Sequence, residues 1–247
     1  MYFFYFNKNK IIFAESAKIL EEINCIIINS NKPSQIITLN SLIYLQSKFD
    51  YYTKKAVENA KLIICDSFGI SLCCSLLSFK ILKNQPGVEL LEDLFFLSKN
   101  KNYKIFLFGS SKEVLEVLSK KLKEKGINIV GTHHGYIFHP KDLTDNVVNF
   151  INQSSPDILL VGLPTELQES WIYKNLNRLK CKVVVGVGGS FDVLSGKLKR
   201  APKLFRILGL EWYFRTLQEP WRIFRIIKLP LAIVSFIFDY LEYKLKL

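Results

Sequence analysis

From Tyr103 to Val187 the chain alternates short apolar runs with helix-like stretches at a spacing that leaves few folds open. Residues 104–108 read as a strand, Gly109-Ser110-Ser111 as a turn, and 112–125 as a helix stopped by Gly126. Residues 127–130 read as the next strand, followed by Gly131-Thr132-His133-His134-Gly135-Tyr136 and a helix over about 143–152. Pro156-Asp157 then introduces a strand at 158–161, with a helix at 164–179 and a last strand at 182–187. Strands buried on both faces and joined by helices pair in parallel, through right-handed crossovers that pack back on a right-twisted sheet. The expected fold class is α/β, a Rossmann-like parallel sheet flanked by helices.

Upstream the pattern is less regular. Apolar runs at 2–6 and 25–28 flank a helix-like segment at 16–23. Residues 36–40 read as a strand with a polar tip, followed by a helical stretch through Lys55. Residues 60–65 form another strand, which delivers Asp66 just before Ser67-Phe68-Gly69 and a helix at 70–79. Two such tips make one pocket of Thr38, Asn40 and Asp66. With no internal repeat or low-complexity linker, the organisation expected is a core over 1–200 and a C-terminal helical appendage over 201–247.

The last strand breaks into Gly186, Gly188 and Gly189, with Asp192 just beyond, and a dense run of cations follows. Of the net charge of +12, most sits in residues 197–228, which hold nine basic and two acidic side chains. Backbone N–H groups of a glycine turn can face an anion, and a local cationic field favours phosphate, nucleic acid or an anionic membrane. The cations are interleaved with Leu, Ile and Trp and no nucleic-acid reader motif is present, which argues against nucleic acid. Within the appendage Pro220 can open a helix that puts Arg222 and Arg225 on one face, with Arg215 just upstream. This amphipathic surface suits anionic headgroups or a pyrophosphate, and its apolar side suits a membrane or a second subunit, so a homo-oligomer stays open.

The five cysteines include no CxxC pair and no histidine at metal-ligand spacing, so neither a disulfide framework nor a zinc site is expected, and a reducing compartment is. The opening residues lack the pattern of a secretion signal. The apolar run at 229–238 is ten residues, half of the ~20 that a spanning helix needs. The expected location is cytoplasmic, peripheral on the inner face of the cell membrane.

Several residues carry two readings. Asp66 is a general base whose pKa burial would raise, or a cap for the helix that follows. Asp192 orients a ligand hydroxyl, or caps a helix or pairs with Lys197 or Arg200. Gly109 and Ser110 cradle phosphate, or simply start a helix. His133 and His134, adjacent in a loop, point in different directions and make a poor metal pair.

Together, Asp66-Ser-Phe-Gly after a strand, Gln168-Glu169, GVGGSFDVLSGKLKRAP and GLEWYFRTLQEPWRIFR resemble the WecG/TagA/CpsF family of bacterial glycosyltransferases, from about residue 38 to 229. The resemblance implies transfer of an N-acetylmannosamine-type or related sugar from a UDP donor to a sugar on undecaprenyl diphosphate, in surface polysaccharide synthesis. It implies a Rossmann-like fold without a DxD metal motif, no cofactor and no metal, and an appendage involved in membrane contact and the active site. Asp66 becomes the base, in a pocket with Thr38 and Asn40. Gln168 and Glu169 contact the donor, and Arg215, Arg222 and Arg225 neutralise diphosphate. Gly109, Ser110, Tyr136, Gly188, Asp192 and Arg200 complete the expected substrate-binding set. Two departures stand out: Asn84-Gln85-Pro86-Gly87 replaces the usual Arg-x-x-Gly, with Lys83 a substitute cation, and Pro164-Thr165-Glu166-Leu167 replaces Gly-x-Pro-Lys. They favour, as the rival, a non-catalytic nucleotide-binding or membrane-surface module on the same scaffold.

Overall fold

The structure is a computed structural model that describes residues 1–6, 9–135 and 145–246. An antiparallel hairpin of β1 (Tyr2–Phe6) and β2 (Asn9–Phe13) begins the chain. There follow β3 (Ser34–Leu39), β4 (Leu62–Cys65), β5 (Ile105–Gly109), β6 (Ile129–His133), β7 (Ile158–Gly162) and β8 (Val183–Gly186). They make one sheet in the order β1-β2-β4-β3-β8-β7-β5-β6, parallel everywhere except within the hairpin.

Every residue of β4, β5, β7 and β8 is buried, which is why these strands read as continuous Val/Ile/Leu runs. Alternate side chains feed opposite layers. Ile36 and Ile64 pack with the helices Ser16–Asn29, Gly87–Lys101 and Lys112–Glu124. Ile37, Ile63 and Cys65 pack with the helices Ser41–Phe49, Tyr51–Asn59 and Phe68–Ser78. The first and second halves of the chain meet where β3 lies beside β8, so the strand order reverses there. Open α/β sheets bind ligands in the crevice outside the carboxyl ends at such a reversal.

Several sequence expectations shift. The apolar run at 25–28 is the end of helix Ser16–Asn29, not a separate element. The helical stretch after Asn40 is two helices, because Asp50 ends one and caps the next, its carboxylate accepting the Thr53 N–H at 2.6 Å. β6 starts later than expected: Ile127 N–H bonds back to Leu122 O, closing the preceding helix, so the strand reaches His133. The helix expected over 164–179 runs Thr165–Asn175 and tightens into a 3-10 turn at Leu176–Arg178.

The tail consists of short helices at Lys203–Ile207 and Glu211–Gln218, a 3-10 turn at Pro220–Arg222, a helical turn at Ile223–Ile226 and the long helix Lys228–Leu245. That last helix closes the second core layer. Phe236 is fully buried against Phe4 and Tyr44, and Asp239 accepts from Tyr44 and pairs with Lys48. Among the described residues no helix is long and apolar enough to cross a membrane.

Candidate active site

The tip of β4 meets the tip of β3, with Leu39 in register with Cys65, so Asn40 and Asp66 lie side by side at the carboxyl edge of the sheet. The Asp66 backbone is fixed from two directions: its N–H donates to Leu39 O at 2.9 Å, and Asn84 Nδ2 donates to its carbonyl at 2.9 Å. Its Oδ1 accepts the Gly87 N–H at 2.6 Å, which leaves Oδ2 with the free lone pairs. Burial pushes the Asp66 pKa up to about 6, against the Gly87 N–H and the Arg215 charge, which hold it down. A carboxyl so tuned is mostly ionised at neutral pH yet more basic than an ordinary aspartate, as a general base requires. Ser67, not Asp66, caps the following helix, its hydroxyl accepting the Ile70 N–H.

The other pocket residues from the sequence are placed as follows. Asn40 caps helix Ser41–Phe49, its Oδ1 accepting from Leu42 and Ile43 N–H at 3.0 and 2.9 Å. Thr38 spans the strand-order reversal, its hydroxyl donating to Gly186 O at 2.9 Å. Gly188 has φ +49°, a left-handed conformation that glycine adopts without strain, and open space where a Cβ would be. Gln168 holds that turn from behind, its Oε1 accepting the Gly188 N–H at 2.8 Å.

Glu169 is fully buried, and its oxygens accept from Gln168 Nε2 and Gln35 Nε2, each at 2.7 Å. It orients Gln168 and faces away from solvent. Burial raises its pKa from 4.5 to about 7, the two amide donors opposing. A raised carboxyl contributes stability that is fully present below pH 4.5 and is lost as pH climbs through about 7. Its ionisation therefore costs roughly 3 kcal/mol at alkaline pH. Among the described residues Gln35 Oε1 is buried without a partner, so an amide at 169 has an acceptor waiting. Glu169→Gln is expected to raise Tm more at pH 8 than at pH 5; an equal offset at both, by calorimetry, would count against this account.

The tail brings cations to the glycine turn. Arg215 spends Nε and Nη2 on Glu211 at 3.2 and 2.8 Å, and Arg222 spends Nε on Glu219 at 2.6 Å. The unspent edges converge: a Cβ built on Gly189 would lie 3.6 Å from Arg222 Nη2 and 4.0 Å from Arg215 Nη1. Arg225 stacks with Arg222 over the Trp221 ring, each 5.1 Å from its centroid, and pairs with Glu166 at 3.7 Å. Burial, then repulsion from Arg225 and Arg215, holds the Arg222 pKa below its ordinary value against the pull of Glu219. An anion at this point would relieve that repulsion.

Farther along the same edge, Gly109 has φ +115° and would strike the Gly162 carbonyl if it carried a Cβ. Ser110 donates its N–H to Gly162 O at 2.9 Å and its hydroxyl to Asp192 at 3.3 Å, while Lys197 pairs with Asp192 at 3.3 Å. Arg200 is paired with Glu89 and Glu92 at 2.6 and 3.4 Å. His133 ends β6 and packs near Phe108 and Phe150, and its ring stacks on His134 at 5.1 Å, so the two histidines do not point apart as expected. Tyr136 lies outside the described residues. The sequence reading missed Gly87, Glu211 and Gln35; the i, i+4 spacing of Glu211 to Arg215 was a visible signal for one of them.

Residues 11–247 match the family model described as "Glycosyl transferase WecG/TagA/CpsF family". The chain belongs to this family of glycosyltransferases. Two relatives from Staphylococcus aureus, strains MW2 and MRSA252, are 33% and 34% identical over 198 residues, covering 79% of this chain and 76% of each relative. Both are named N-acetylglucosaminyldiphosphoundecaprenol N-acetyl-beta-D-mannosaminyltransferase. A solved arylmalonate decarboxylase mutant covers 69% of this chain and 96% of its own at 12% identity, with a TM-score of 0.29, too loose a likeness to bear on fold or site.

Asn84 and Glu166, from the two stretches singled out in the sequence, each make a contact of their own. Asn84 braces the Asp66 carbonyl, and Glu166 takes up Arg225.

Proposed function

We propose that this chain moves a sugar of the N-acetylmannosamine type or a related one from a UDP donor to a sugar on undecaprenyl diphosphate, inverting and without a metal, in bacterial surface polysaccharide synthesis. The observation that carries it is the placement of Arg215, whose charge acts on Asp66 while its free edge reaches the glycine turn. One side chain thus joins a base to an anion site across the strand-order reversal.

Asp66 Oδ2 takes the proton of the acceptor hydroxyl as that oxygen bonds to the anomeric carbon. The bond from that carbon to the UDP oxygen breaks on the opposite face, which inverts the centre, and the electron pair leaves with UDP. The charge gathering on the diphosphate is met by Arg215 and Arg222, cations fixed before the reaction begins, and the open space at Gly188 lets the diphosphate approach the turn. Asp192 and Ser110 extend the donor side. The tail sits on the inner face of an anionic membrane, where the lipid-linked acceptor is held.

A donor screen with a synthetic lipid-diphosphate-sugar, with the linkage of the product read by NMR, tests this reading. No UDP release from any UDP-sugar would sink it and leave the non-catalytic module. Within the mechanism, Arg222→Ala is expected to raise the donor KM by about 10- to 100-fold, the worth of one charge-assisted hydrogen bond. A KM within about twofold of wild type would remove Arg222 from the diphosphate site.

A further inference from the structure

Helix Phe68–Ser78 begins two residues after Asp66 and buries only one side, through Ile70, Cys73 and Cys74. The opposite side carries Phe68, Leu72 and Leu76, spaced four apart and exposed. The stripe ends in Phe79 and Ile81, which are 97% and 87% exposed. Phe79 also has φ +54°, a left-handed backbone that a bulky residue adopts only at a cost of order 1 kcal/mol.

This protrusion is held, not loose. The Phe79 and Lys80 N–H groups both donate to Ser75 O, and the Leu82 N–H donates to Ser75 Oγ at 2.9 Å. Leu82, the residue after Ile81, is buried, so the loop is pinned at both ends and leaves Phe79 and Ile81 exposed between the two anchors. A water-facing loop gains nothing from a strained, fixed and bare phenylalanine.

We infer that this stripe and loop form a bilayer-inserting element of the core itself, seated in an anionic membrane with Asp66 close to the interface. The charge pattern selects lipid over a second copy of the chain. Between Asp66 and Glu89 the charged residues are Lys80 and Lys83, both cations at the tip of the stripe. Anionic headgroups attract them, whereas a two-fold pairing of this face would bring lysines against lysines. The neighbouring last helix, whose Ile233 lies against Gly69, continues the apolar face with Leu231, Val234 and Phe238 exposed. The inference rests on the proposed function only in that a polyprenyl-borne acceptor gives the site a reason to face lipid.

The test uses the full chain with Phe79→Glu/Ile81→Glu, and with Phe79→Ser/Ile81→Ser to separate lost insertion from added repulsion. Co-sedimentation with vesicles of phosphatidylglycerol and phosphatidylethanolamine is expected to weaken about tenfold or more in both variants, since each removes the burial of two large apolar side chains. Tm and turnover on a detergent-solubilised acceptor are expected to stay at wild-type values. Vesicle binding equal to wild type in both variants overturns the inference, as does a wild-type dimer that the substitutions dissociate while vesicle binding persists. If no acceptor is turned over but vesicle binding still depends on Phe79 and Ile81, the reaction reading falls and this inference stands.

Discussion

Replacing Asp66 with asparagine is expected to lower kcat by about 10²- to 10⁴-fold, the usual worth of a positioned base, while UDP affinity changes by less than about twofold. The asparagine can keep the Gly87 N–H bond to Oδ1 and the Asn84 bond to the backbone, so fold and loop geometry are retained. What is lost is the basic oxygen. Because the Asp66 pKa stands at about 6, raised by burial, the wild-type rate is expected to fall as pH drops through 6, when the carboxyl takes up a proton. A pH profile of kcat/KM without that limb, or an asparagine variant with wild-type turnover, would exclude Asp66 as the base. UDP binding by calorimetry separates this from a general loss of the site.

Phe236→Ala is expected to cost about 3–5 kcal/mol, the penalty for a large ring removed from a packed interior. In a chain of this size that lowers Tm by roughly 10 °C. Phe236 lies at the far end of the sequence yet stacks on Phe4 from the first strand and meets Tyr44 edge-on. A Tm within about 2 °C of wild type would mean that the last helix does not dock as described. The result also bears on truncation: cutting the chain near residue 200 removes this ring and uncovers Ile37, Leu39, Ile43 and Ile70 around it. Loss of activity in such a truncation therefore reports on the core as well as on the arginines.

The strand–helix alternation after Tyr103 was legible because each strand there is buried on both faces and each turn carries Gly, Pro or Ser. The hairpin β1–β2 was not, because only one of its strands stood out as an apolar run and pairing at an edge leaves a weak period. Asp66 and the three arginines were legible from strand-tip position and family resemblance. Their mutual geometry was not, since which edge of each guanidinium remains free depends on Glu211 and Glu219 as partners. Glu169 shows the limit most clearly. Its type and its place beside Gln168 suggest a ligand contact, but the helix turns it inward onto Gln35, more than a hundred residues away in sequence.

Gly87 and Glu89 stand on the same first turn of one helix. Gly87 grips the Asp66 carboxylate, and Glu89 holds both Arg200 and Arg206, the latter on the first helix of the tail. A single helical turn is thus bonded both to the Asp66 carboxylate and to the tail. A displacement of the tail would load the same turn that holds this carboxylate.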